Sequence, residues 1–77
     1  MTITARADFD TMTRINTAVE EGREVTINGD RVFAGWRKPA HLHGTGSISV
    51  EMEARTRKGR SRTAYFKPGT TLTITIA

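Results

Sequence analysis

Cysteine is absent from the 77 residues, so no disulfide can staple the fold and no thiolate can ligate a metal or act as a nucleophile. Long apolar runs are missing as well. No stretch approaches the roughly 18 consecutive apolar residues of a membrane span, and Met1-Thr2-Ile3-Thr4-Ala5-Arg6 lacks the apolar segment of a secretory leader. The cytoplasm is therefore the expected compartment, with no membrane partner. Aromatic residues are few, one Trp, one Tyr and three Phe, so aliphatic side chains must supply most of the core. At 36% apolar and 26% charged the chain still lies above the range of disorder, and its length sets a single domain, residues 1–77, with a small core. A core this small leaves assembly with further copies of the chain an open alternative. Signatures of catalysis are lacking too: the histidines have no evident orienting group and no GxxxxGK[ST] phosphate loop occurs. Neither an enzymatic activity nor a cofactor is expected.

One further absence is local. Residues 55 to 67 contain six Lys/Arg and no Asp/Glu, so this segment carries +6 in a chain of net charge +4, and the remainder is slightly acidic. A positive lobe on an acidic body points to an anionic partner. The lobe falls on a hairpin pattern. Ile48, Val50, Met52 and Ala54 alternate with Ser47, Ser49, Glu51, Glu53 and Arg55, giving one core face and one wet face. The chain turns at Arg57-Lys58-Gly59-Arg60 and returns through Thr63 to Phe66. Arg57, Lys58 and Arg60 are the expected phosphate anchors, flanked by Arg55 and Arg62, with Tyr65 as a stacking surface. Edge cations that discourage aggregation are the plainer account of the same residues.

Upstream, Asp8 or Asp10 can cap a helix in which Phe9, Met12, Ile15 and Val19 recur at spacings of three and four. Gly22 can end it in the left-handed conformation, which predicts a helix over about residues 8 to 21. Thr2-Ile3-Thr4-Ala5 before it reads equally as a short strand or a loose terminus. After Gly22 the period changes to two. Val25 and Ile27 lead into Asn28-Gly29, the pair that a type I′ turn requires, and Val32, Ala34 and Trp36 continue the alternation. Residues 37 to 46 read as a loop. Leu72, Ile74 and Ile76, after the turn at Pro68-Gly69, complete five strands. The expected fold is α+β, with the helix packed on a strongly bent five-stranded antiparallel sheet or small barrel.

The other singled-out residues have plainer readings. Alternation places Trp36 inward, which leaves Phe33 exposed between Arg31 and Arg37. Phe33, Trp36, Arg37 and Lys38 form a candidate partner contact. His41 and His43 lack a third ligand and read as surface histidines, with no metal site. Glu51 and Glu53 read as cross-strand partners of Arg60 or Arg62. Thr71 to Ile76, strongly β-forming and uncharged, could add to another chain's sheet.

A helix followed by five short strands, with Gly35 in the second and Lys67-Pro68-Gly69 before the last, resembles the plan of Sm-like small barrels over residues 8 to 77. The resemblance implies a layout only. His41-Leu42-His43-Gly44-Thr45 contains neither the Asp nor the Asn with which that family reads RNA, and Lys67-Pro68-Gly69 stands where an Arg-Gly pair is usual. No functional residue carries over. The sequence thus leads to a small basic module contacting nucleic acid or another anionic surface. The alternative is a protein-interaction or assembly module, such as a phage or mobile-element accessory protein that binds a host protein or forms a structural subunit.

Overall fold

The computed structural model describes residues 1–57 and 59–77. It is α+β: β1 (Thr2–Arg6), α1 (Phe9–Glu20), β2 (Val25–Ile27), β3 (Asp30–Arg31), β4 (Ala40–Leu42), β5 (Ile48–Glu53), β6 (Ser61–Phe66) and β7 (Thr71–Ile76). The strands form two antiparallel sheets, ordered β1-β7-β2-β3 and β4-β5-β6, rather than the single bent sheet or barrel expected, and neither sheet is closed. One bridge, Val32 to Met52, links them.

The helix starts as its sequence dictates. Asp8 is the N-cap, and its carboxylate accepts from the Thr11 N–H at 2.9 Å, satisfying one of the amides left over at a helix start. At the other end Gly22 takes a φ of +79°, the left-handed conformation that stops a helix. The buried face, however, is Thr11, Ile15 and Ala18, with Met12 and Val19 half-covered and Phe9 exposed. The expected stripe is thus rotated toward smaller side chains. Small residues let the helix approach the sheets closely, and Ala7, Ala18 and Ala40 all join the core.

Asn28 and Gly29 have φ of +52° and +86°, so the β2–β3 turn has the two positive-φ positions that its sequence specifies. Asn28 also pairs with β7: its N–H donates to Thr73 O at 2.8 Å, and its side-chain oxygen accepts from Thr73 N–H at 3.0 Å. The β2–β3 hairpin then stops short. Val32 is buried, but Ala34 and Trp36 lie outside any strand and are exposed, against the inward placement that alternation predicts. The reason lies next door: Gly35 and Pro39 break the pattern, and the Phe33 ring folds over Gly35, where a Cβ would sit 2.5 Å from ring atom Cε1. Phe33 is consequently half-buried instead of exposed.

The segment read as loop contains β4. Ala40 to Leu42 pair with Ile48 to Val50 of β5. The opposite edge of β4 is met by the helix: Ala40 N–H donates to Asn16 Oδ1, and Asn16 Nδ2 donates to Ala40 O, both at 2.9 Å. The amino terminus is also ordered in a strand. β1 pairs along β7 from Thr2↔Thr75 to Arg6↔Thr71, while β2 takes the other edge of β7 from Val25↔Ile76 to Ile27↔Ile74. β7 is thus covered by β1 along one edge and by β2 at Ile74 to Ile76 along the other, which leaves less of Thr71 to Ile76 open to another chain's sheet than its sequence suggests. Leu72, Ile74 and Ile76 face the core together with Ile48, Val50 and Met52, as the alternation predicts. No helix among the described residues is long and apolar enough to cross a membrane.

Candidate nucleic-acid interface

The β5–β6 hairpin is the longer of the two pairings in its sheet, running from Ile48↔Phe66 to Glu53↔Ser61. Beyond it, Ala54 N–H donates to Arg60 O at 2.8 Å and Arg60 N–H to Arg57 O at 3.3 Å, with Gly59 at φ +80°. The chain therefore reverses between Ala54 and Arg60, as the sequence predicts. Lys58, the central expected anchor, lies outside the described residues.

The flanking arginines are held from below. Asp30, at the β2–β3 turn, accepts two hydrogen bonds from Arg55, Nε to Oδ1 at 3.2 Å and Nη2 to Oδ2 at 2.8 Å. Arg62 Nη2 adds a third, to Oδ2 at 3.1 Å. Two-point pairing fixes the guanidinium plane as well as its position. The Arg55 hydrogen bonds, and more weakly the charges of Arg55 and Arg62, hold the Asp30 carboxyl below the usual aspartate range against the opposing effect of desolvation. Arg55 shifts upward for the reciprocal reason. Asp30 thus braces the base of the basic hairpin against the other sheet and offsets part of its charge. Arg57 and Arg60 remain exposed and, among the described residues, enter no ion pair.

Glu51 and Glu53 do not pair with Arg60 or Arg62. Thr63, opposite Glu51 in the register, donates its hydroxyl to Glu51 Oε1 at 2.7 Å. Arg62 lies opposite Met52, on the other face of the strand, and so reaches Asp30 instead.

Tyr65 sits away from the turn, near the far end of β6, and is 70% exposed. It belongs to a cross-strand row with Ser49 and His41. His43 joins it: its ring centroid lies 5.9 Å from that of Tyr65 at an interplanar angle of 43°, and its Nε2 shares a 2.8 Å hydrogen bond with the buried Ser49 hydroxyl. Among the described residues no three His, Cys, Asp or Glu side chains come together as a metal-ligand set.

The other candidates lie elsewhere. Trp36, 48% exposed rather than core, borders a shallow cleft with Val19, Glu20 and Arg37. Lys38 borders an adjoining groove between α1 and β4, together with Phe9, Met12 and Leu42. The structure therefore divides the expected cluster: Trp36 and Arg37 border one cleft, next to the Gly35 that the half-buried Phe33 covers, while Lys38 borders the groove with Phe9, Met12 and Leu42.

Two contributors were not evident from sequence. Asp30 is the carboxylate that follows the Asn28-Gly29 turn, at the start of β3, and nothing in its own segment points to Arg55 or Arg62. The His43–Ser49 contact depends on the β4–β5 register, which required β4 to be recognised as a strand. No protein family, curated protein or solved structure matches the chain.

Proposed function

We propose that the chain is a small, non-enzymatic binding module that contacts nucleic acid through the turn of the β5–β6 hairpin. The observation that carries this reading is the division of labour among its cations. Arg55 and Arg62 are tied to Asp30, whereas Arg57 and Arg60, in the turn between them, are exposed and enter no ion pair among the described residues. Bracing the base lowers the ordering cost of presenting the tip, which favours binding. Phosphates are the anions that such a tip can reach on a convex backbone.

The small-barrel likeness is part of the same proposal. It is supported at the level of layout by the helix followed by short strands and by the return of β7 to pair with β2, the first strand after the helix, within two open sheets. Replacing Arg57, Lys58 and Arg60 together with Ala tests the function: affinity for nucleic acid is expected to fall to background while the melting temperature stays near that of the parent. Retained affinity in a folded triple variant contradicts the proposal.

A second reading has its own observation. Phe9, Trp36 and Leu42 are large apolar residues at 58%, 48% and 45% exposure; Trp36 with Arg37 borders one cleft, Phe9 and Leu42 with Lys38 another, and Glu20 lines both. Aromatic and Arg residues are enriched where proteins meet. A protein partner seated on this side makes the chain an interaction module. Its binding would respond to Trp36→Ala and little to the basic-turn substitutions.

A further inference from the structure

The wet face of the β4-β5-β6 sheet presents an aromatic pair that the core does not use. Tyr65 stands on an edge strand with most of its ring in solvent. His43 is held beside it, because the Ser49 hydroxyl fixes the imidazole and Ser49 is itself 5% exposed. His41 lies in the same cross-strand row. A tyrosine and a histidine 5.9 Å apart and tilted by 43° on one sheet face make an exposed aromatic cradle, and aromatic rings are what unstacked bases settle on. Lys67, two residues beyond Tyr65, is exposed at the end of the strand, where it can meet a phosphate.

The charges between this platform and the basic turn decide what can lie across it. Glu51 and Glu53 share the outer face, opposite Thr63 and Ser61. A duplex presents its phosphates to any surface it lies on, and these carboxylates repel them. A single strand can turn its bases toward the sheet and its phosphates toward solvent. We infer that this face stacks an unpaired nucleobase on Tyr65 and His43, so that the nucleic acid taken by the basic turn is single-stranded. The inference rests on the nucleic-acid reading given above.

The test uses the full chain with labelled single-stranded DNA, single-stranded RNA and the matching DNA duplex, each about ten nucleotides long. Binding is measured by anisotropy for the parent, Tyr65→Leu and Tyr65→Phe. The expected result is a preference for one or both single strands over the duplex. Tyr65→Leu is expected to lose about tenfold or more in single-strand affinity, Tyr65→Phe to keep it, and duplex binding to stay unchanged. The DNA and RNA arms show which sugar is accepted. On the parent protein, the ring protons of the single tyrosine are expected to shift upfield on adding the single strand, a readout independent of how the variants fold.

If the duplex binds as tightly as the single strands and Tyr65→Leu alters neither, the basic-turn reading stands and this inference falls. Single-strand preference with no Tyr65 effect in either measurement also overturns it. If no nucleic acid binds at all, both fall together.

Discussion

The carboxamide of Asn16 does for β4 what a neighbouring strand would do, giving Ala40 both a donor and an acceptor at 2.9 Å. Its loss leaves the N–H and C=O of a buried alanine without partners. Asn16→Ala is therefore expected to destabilise the domain by about 1–3 kcal/mol, seen as a melting temperature lower by roughly 4–8 °C per kcal/mol for a domain of this size. Asp30 works at the same scale with an electrostatic signature. Its carboxyl titrates lower in the folded chain than in the unfolded one, so its stabilising contribution is present above the ordinary aspartate range. That contribution is lost as pH falls through the depressed value, because the unfolded chain then binds the proton first. Denaturant melts at neutral pH are expected to show Asp30→Asn less stable than the parent. The gap should narrow as pH drops below about 4; a gap that persists unchanged in acid would contradict the brace.

At the scale of elements, α1, the β2–β3 turn, β5, β6 and β7 were legible because each carries a local signal that no tertiary contact overrides. Asp8 caps, Gly22 stops, Asn28-Gly29 turns, and strict alternation sets the inward faces of β5 and β7. The rest depends on distant partners. β4 is a strand because Asn16 satisfies one edge and β5 the other, and neither is visible within residues 37 to 46. The helix buries Thr11 and Ala18 in preference to Phe9 because close approach to two sheets rewards small side chains, which a hydrophobic count undervalues. Trp36 continues an alternating pattern on paper, yet Gly35 and the Phe33 ring folded over it end the strand first. Of the site itself, the cationic turn was legible from charge alone, whereas the anchoring of its flanks by Asp30 needed the contact between two hairpins. Being outside the core, Trp36 is expected to fluoresce like a hydrated indole and to be readily quenched by acrylamide. Trp36→Ala is expected to cost under about 1 kcal/mol, well below the roughly 3–5 kcal/mol of a core tryptophan.

For the whole molecule, the central feature is segregation of charge: a basic hairpin set on a slightly acidic body and pinned to it by one aspartate. Binding by such a lobe is governed by counterion release, whereas binding through the Phe9, Trp36 and Leu42 side is governed by apolar burial, and salt separates the two. The most direct measurement is fluorescence anisotropy of labelled duplex DNA, single-stranded DNA and RNA with the purified protein at two salt concentrations. With three or four phosphate contacts from the basic turn, affinity is expected to weaken about 20- to 50-fold for a single strand, and about 40- to 150-fold for any duplex bound, between about 50 and 200 mM salt. Absence of binding at the lower salt, or saturable binding that salt leaves unchanged, would contradict the account.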